Sequence, residues 1–149
     1  MFILRIGTDP TDWEVPQDLD IDAMAQQLAA GPVVLPVSYP LNGTLVVSAR
    51  NAGAVSYALP GPHGSHPTDA ELPSPTIHLP SATAPSHDVP GGDTLPGGTN
   101  MHQLQQDIVA AMTDGTFLTV KTSSVPGGAL VLNGATLAYA VLCSAAGTG

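Results

Sequence analysis

Apolar residues recur every three or four positions in two stretches of the chain, residues 21–28 and 101–112. This spacing places them on one face of a helix and leaves the other face polar. Gly31 and Gly115 follow the two stretches, and glycine readily adopts the left-handed conformation that ends a helix. Candidate N-cap residues stand at the two starts: Asp20 or Asp22, and Thr99 or Asn100. The sequence therefore predicts two short helices, which need a sheet to pack against.

Turn residues separate apolar runs that have the character of strands. Asn42-Gly43 lies between Val33–Val37 and Thr44–Val47, and Asn-Gly between apolar runs is the strongest local signal for a β-hairpin. Pro126-Gly127-Gly128 has the same place in the second half of the chain. The other predicted strands are residues 2–7, 55–59, 76–79 and 137–143.

The two halves share an order of elements and several residues. Asn51–Leu59 and Asn133–Val141 agree at Asn, at Tyr and at the following Ala. This agreement predicts an internal duplication, in which β-α-β-β-β units form one pseudo-twofold α+β domain. Chance similarity between two segments rich in Ala, Val and Gly is the open alternative. The predicted boundaries are 1–60 for the first repeat, 61–98 for a connector and 99–149 for the second repeat, which reads α-β-β-β.

The connector is rich in proline and glycine. Residues 60–100 hold nine of the 15 prolines and six of the 16 glycines, and they show no periodic apolar pattern outside 76–79. Because this length exceeds that of ordinary loops, the segment is either functional or disordered. We predict an extended arm that wraps a neighbouring subunit. A plain flexible linker between the repeats is the open alternative.

The passage from helix to strand in the second half has a pattern of its own. Residues 114–120 read Asp-Gly-Thr-Phe-Leu-Thr-Val, and Leu130–Leu132 is followed by Ala138–Val141. In this order of elements each half resembles a family of short actinobacterial β-α-β-β proteins of uncharacterised function. The resemblance implies a fold and no activity. The long connector and the scarcity of basic residues depart from the family's pattern.

Charge and composition exclude several partners. With 3 Lys+Arg against 12 Asp+Glu the formal net charge is −9, which argues against a nucleic acid and against an anionic membrane surface. The apolar run 129–146 is interrupted by Asn133-Gly134, so it predicts two buried strands rather than a membrane span. The start of the chain lacks the features of a signal peptide. We therefore expect a cytoplasmic protein.

Histidines of the connector raise the question of a metal site. His63 and His66 stand three positions apart near two carboxylates, and His87 is followed by Asp88. These residue types and spacings suit metal ligands. A segment rich in Pro and Gly is a poor frame for a tetrahedral site, so exposed loop histidines are the competing interpretation. The sequence predicts no cofactor.

Aromatic residues mark the candidate interface. Half of the carboxylates lie between residues 9 and 22, around Trp13. That acidic stretch is either a docking surface for a basic protein or a solvated loop with helix caps. Tyr57 and Tyr139 occupy equivalent positions in the two halves, where aromatic rings serve a core or an interface.

The residues that usually carry catalysis are not arranged in a known motif. The chain has neither a nucleophile elbow nor a phosphate-binding loop, and Cys143 stands in an apolar run typical of a buried, inert thiol. The sequence therefore predicts a non-enzymatic structural or interaction protein. We expect it to self-associate into a homo-oligomer, ring or filament through strand edges and the connector arm. A small-molecule or metal-binding module that uses the connector histidines is the alternative.

Overall fold

The computed structural model describes residues 2–7, 9, 11–16, 21–38, 41–58, 75–80, 92–123 and 127–144. Within these ranges it contains three helices: α1 (Ile21–Ala30), α2 (Ala49–Ala52) and α3 (Met101–Asp114). Helices α1 and α3 confirm the two predicted helices. Each buries its apolar face, with Met24 and Leu28 inside in α1 and Leu104 and Ile108 inside in α3.

Helix α3 begins and ends as its sequence predicts. The side-chain oxygen of Asn100 accepts a hydrogen bond from the Gln103 N–H at 3.0 Å, so Asn100 is the N-cap. At the other end Gly115 has a φ of 68°, and its N–H donates to the Ala111 carbonyl at 2.8 Å. These two contacts satisfy backbone groups that a helix end leaves without partners.

Ten strands lie in the described ranges, and they form three antiparallel sheets. The strands are β1 (Phe2–Ile6), β2 (Trp13–Val15), β3 (Val33–Val37), β4 (Gly43–Val47), β5 (Val55–Ala58), β6 (Thr76–His78), β7 (Gly92–Thr94), β8 (Phe117–Lys121), β9 (Ala129–Asn133) and β10 (Tyr139–Cys143). Sheet A has the order β2-β1-β5, sheet B β3-β4-β10-β6-β7, and sheet C β8-β9. The fold is therefore α+β, with antiparallel pairing throughout the described strands.

The centre of sheet B separates two hydrophobic cores. Core 1 joins sheet A, α1 and one face of sheet B, and core 2 joins α3, sheet C and the other face. Strand β10 contributes Tyr139, Val141 and Cys143 to core 1, and Ala140 and Leu142 to core 2. A strand buried on both faces has a continuous apolar sequence rather than an alternating one, which is why the sequence of β10 is apolar throughout.

Both predicted hairpins are present. Strands β3 and β4 pair with Leu35 opposite Leu45, and β8 and β9 pair with Leu118 opposite Leu132. The apolar run 129–146 contains β9 and β10, which confirms its assignment to strands. No helix in the described ranges is long and apolar enough to cross a membrane.

Part of the predicted connector belongs to the folded domain. Strands β6 and β7 lie within residues 61–98, and β6 occupies a place in sheet B between β10 and β7. Ile77 and Leu95 are fully buried. Strand β6 matches the predicted strand at 76–79, whereas β7 is a strand where the sequence predicts an arm. Both strands have three residues, but β7 reads Gly-Asp-Thr, and without an apolar side chain it shows no alternation of apolar and polar positions.

Candidate functional site

Sheet C presents an apolar surface to solvent. Side chains alternate along each strand, so Leu118 and Val120 of β8 and Leu130 and Leu132 of β9 turn towards core 2. The residues between them point outward and are exposed: Phe117, Thr119, Lys121, Ala129 and Val131. We call these five residues the outer hairpin face.

The outer hairpin face carries the two most exposed large apolar side chains of the described residues. Phe117 is 71 % exposed and Val131 is 60 % exposed. Thr119 lies opposite Val131 in the ladder, so Phe117 and Val131 are diagonal neighbours, close enough for a long side chain to reach. Single exposed apolar residues are ordinary, but adjacent ones on a flat face are typical of an interaction site.

The chemistry of this face is that of binding. Lys121 is its single charged group, and the other members are apolar or carry a hydroxyl. The face contains no imidazole, carboxylate or thiol that could move a proton or attack a substrate. It can cover an apolar surface of another molecule and place one ammonium group beside it.

Two of the three predicted interface residues lie in core 1. Trp13 and Tyr139 are 0 % exposed, and their rings meet edge to face with centroids 5.8 Å apart and planes at 70°. Because the chain itself covers both rings, they pack the core and present no surface to a partner. Strand β5 carries Tyr57 opposite Leu4, and the Tyr57 side chain is not among the described ones.

Tyr139 has a charged partner from the start of the chain. Its hydroxyl donates to Asp9 Oδ2 at 2.5 Å, and Asp9 Oδ1 accepts from the Thr11 N–H at 2.9 Å. Burial is the main cause that raises the pKa of the Tyr139 hydroxyl above its ordinary value of about 10. The hydrogen bond to Asp9 and the negative charge of Asp9 raise that pKa further, and a hydrogen bond with Thr11 opposes them.

Because of this raised pKa, the loss of stability caused by Tyr139→Phe is expected to depend on pH. The raised pKa keeps the folded hydroxyl protonated above pH 10, while the unfolded one ionises. The stabilisation is therefore complete below about pH 10 and declines by up to about 1.4 kcal/mol per pH unit above it. Below pH 9, Tyr139→Phe should cost about 2 kcal/mol, because the variant lacks a hydrogen bond to a charged group.

The check is urea unfolding of the wild type and Tyr139→Phe at several pH values from 7 to 11. The difference between the two free energies of unfolding should be constant to about pH 9.5 and shrink above it. A difference that stays constant to pH 11 would contradict the raised pKa. Using the difference cancels the titration of groups that the two proteins share.

The acidic stretch is used largely within the chain. Asp9 accepts the Tyr139 hydroxyl, and Asp12 Oδ1 pairs with Arg5 Nη2 at 2.6 Å. Glu14 is 97 % buried, with 3 % of its surface exposed, and Asp22 is exposed in the first turn of α1. Of the four described carboxylates of this stretch, two are therefore paired within the chain, one is buried and one is exposed, and Asp18 and Asp20 lie outside the described residues.

Cys143 lies inside sheet B, as its apolar surroundings predict. It is 1 % exposed, and burial raises the pKa of its thiol above the ordinary value, against a smaller opposing effect of the hydrogen bond with Thr76. A raised pKa leaves little thiolate near neutral pH. Next to it, Thr76 Oγ1 and His78 Nε2 are 3.0 Å apart, and the His78 ring packs over Gly92.

The predicted metal ligands His63, His66 and His87 lie outside the described residues. Within the described ranges, no group of three or more His, Cys, Asp or Glu side chains has a geometry that could hold a metal ion. The two described histidines are separate: His78 is buried in sheet B, and His102 is exposed on α3 with Gln106 at 3.1 Å.

A shallow depression lies between α1 and α2. It is open to solvent, and its lining residues are Ala25, Leu28, Ala29, Ala49, Arg50 and Val55. Short side chains and one guanidinium group give a ligand little to contact, and polar groups do not converge there. This depression therefore supports the binding of a small molecule less well than the outer hairpin face supports contact with another protein.

The sequence contains a signal for the outer hairpin face. Phe117, Thr119 and Lys121 alternate with Leu118 and Val120, and that alternation assigns the first three residues to one face of a strand. The alternation alone does not show which side of β8 the core covers, because both sides of the strand carry apolar residues. The burial of Leu118 and Val120 against core 2 decides it.

The chain matches no protein-family model, no curated protein and no solved structure.

Proposed function

We propose that the protein is a non-enzymatic structural or interaction protein that self-associates. The observation that carries this proposal is the outer hairpin face, with Phe117 and Val131 at 71 % and 60 % exposure on a two-stranded sheet. An isolated two-stranded sheet is marginal in water, and further strands or packing stabilise it. Core 2 already packs against the inner side of sheet C, and a second copy of the chain would supply further strands.

We infer that the partner is another copy, because the chain pairs strands across its halves. Strand β4 of the first half and β10 of the second join in sheet B, with Tyr139 opposite Val47. Sheet B is thus completed by a strand from a distant part of the same sequence. Strands of a second copy can add to an exposed sheet edge in the same way.

An internal duplication belongs to the same proposal. Each half places its first strand between its second and its last, as β2-β1-β5 and as β7-β6-β10. In each half, a backbone hydrogen bond also links the hairpin that follows the helix to the second strand. The Ser38 N–H donates to the Glu14 carbonyl at 2.9 Å, and the Ser123 N–H donates to the Thr94 carbonyl at 2.8 Å. These matched contacts support the proposal of two similar units related by a pseudo-twofold axis.

The test is the mass of the protein in solution, measured by size-exclusion chromatography with light scattering over a range of concentrations. We expect the full chain to have the mass of two or more copies. Phe117→Ser combined with Val131→Ser should shift it to the monomer, because both changes remove apolar area from the outer hairpin face. Val34→Ser is the matched control: Val34 is also an exposed valine on a strand, at 38 %, but it lies on β3. A wild type that is monomeric at every concentration would refute the proposal.

We propose that the connector contributes contacts to the assembly. Deleting all of 61–98 would remove Ile77 and Leu95 from core 2, so that deletion tests folding rather than association. A chain shortened between residues 61 and 73 leaves β6 and β7 intact. Weaker association of this shortened chain would support a role of the arm, and unchanged association would remove the arm from the proposal.

A further inference from the structure

We propose that two copies pair through β8, edge to edge and antiparallel, around a twofold axis at Thr119. This inference rests on the proposed self-association and identifies the strand, the register and the symmetry of the contact. In this arrangement sheet C of one copy and sheet C of the other become one four-stranded sheet, with the outer hairpin faces on the same side. Phe117, on β8, then contacts the second copy, whereas Val131, on β9, stays exposed. The loss of association in the Phe117→Ser and Val131→Ser double variant is therefore expected to come from Phe117.

The edge of β8 is available for a further strand. In the part of the chain that the structure describes, β8 forms a ladder with β9 and with no other strand. The backbone bond from Ser123 to Thr94 holds the chain just beyond the strand's end, which leaves residues 117–121 as the segment to be paired. The N–H and C=O groups along an unpaired edge are a template for a strand from another chain.

Three other edges of the sheets carry features that hinder pairing. Strand β3 ends sheet B on one side and contains Pro36, which has no N–H to donate. Strand β7 ends sheet B on the other side, and β2 ends sheet A, and each is three residues long. Strand β8 has five residues and no proline. By these criteria β8 is open to strand addition where β2, β3 and β7 are protected. The edge strands β5 and β9 also lack proline, and the self-complementary sequence of β8 favours β8 over them.

The sequence of β8 is complementary to itself in this register. An antiparallel pair centred on Thr119 places Phe117 of each copy opposite Lys121 of the other, on the outward side. The two ammonium groups then lie at opposite ends of the pair and do not repel each other, and each faces an aromatic ring. Asp114, the last residue of α3, stands three positions before Phe117. Lys121 of the second copy therefore lies near the start of β8, where the Asp114 carboxylate and the negative C-terminal end of α3 favour a positive charge.

The inner side of the pair is complementary as well. Leu118 of one copy lies opposite Val120 of the other, and both point towards core 2 of their own chain. The new ladder therefore continues the apolar inner surface across the twofold axis and places no charge on it.

Disulfide cross-linking of single-cysteine additions tests the register. Thr119→Cys places two thiols opposite each other at the axis, so mild oxidation should give a covalent dimer on non-reducing gels. Lys121→Cys is the first matched control, because its two copies would be about 13 Å apart along the strands. Val131→Cys is the second control, because three strand spacings of about 4.8 Å separate its copies. Disulfides do not form across Cα separations above about 7 Å, and the native Cys143 is 1 % exposed.

Each outcome supports or overturns the inference. Cross-linking of Thr119→Cys alone supports it. Cross-linking of Val131→Cys instead would assign the contact to β9 and overturn it, and equal cross-linking of all three variants would indicate random collision and overturn it. If none cross-links while the wild type has the mass of two or more copies, the β8 contact is wrong and self-association stands. If the wild type is monomeric, both proposals fail.

Discussion

Replacing Gly134 by alanine is expected to lower the free energy of unfolding by about 3 kcal/mol. Gly134 is buried where β9 leads into the turn towards β10, and its N–H donates to the Thr116 carbonyl at 2.9 Å. A Cβ atom at this position would overlap the Ala111 carbonyl and come within 2.7 Å of the Thr116 oxygen. Both obstacles are backbone atoms at the end of α3, so neither can rotate away as a side chain would.

Urea unfolding followed by circular dichroism measures the effect of Gly134→Ala. For a chain of this size, 3 kcal/mol corresponds to a fall in Tm of roughly 10 °C. Gly97→Ala is the control: Gly97 is exposed, a Cβ there meets no atom within 4 Å, and its φ is not positive. Equal stability of the two variants would show that the turn at Gly134 can move away from α3.

Asn51→Asp is expected to cost about 2 kcal/mol, because it replaces a donor by a negative charge. The Asn51 side chain donates from Nδ2 to the Gly134 carbonyl at 2.7 Å and to the Leu137 carbonyl at 2.9 Å. These bonds join α2 in the first half to the turn before β10 in the second. A carboxylate of the same shape would face two carbonyl oxygens without a hydrogen to share, so it should destabilise more than Asn51→Ala.

The second half offers a matched control at the predicted equivalent of Asn51. Asn133 uses its side chain as an acceptor: Oδ1 accepts from the Ala135 N–H at 3.1 Å. Asn133→Asp keeps that acceptor and should change the free energy of unfolding little, although the chemical change is the same as in Asn51→Asp. Lowering the pH towards 4 should narrow the gap between Asn51→Asp and the wild type, because a protonated carboxyl can donate again. If both aspartates cost the same, net charge rather than the lost donor explains the loss.

Local patterns in the sequence predict the local structure well. The apolar stripes of α1 and α3, the Asn100 cap and the β3–β4 hairpin act over a few residues, and the structure has all of them. The hairpin loop is residues 38–42, and Gly43 is the first residue of β4 rather than part of a two-residue turn. Each depends on contacts between near neighbours, whose geometry the spacing of residue types determines.

Contacts between distant parts of the chain are not predictable in this way. The Tyr139 hydroxyl binds Asp9 across 130 positions, and nothing near either residue indicates the other. Trp13 stands among carboxylates, which is typical of a surface, yet it is buried against Tyr139. Strands β2 and β7 have three residues each, so their neighbours in the sheets rather than their own sequence determine them.

The position of β10 has a consequence for synthesis on the ribosome. Core 1 consists mostly of residues from the first half, but it also needs Tyr139, Val141 and Cys143. Strand β4 likewise waits for residues 139–142 to complete its ladder. The first half therefore leaves the ribosome with an open core and cannot finish folding until β10 has emerged. Contacts this far apart in sequence also slow folding, so we expect the two halves to fold together once β10 has emerged rather than one after the other.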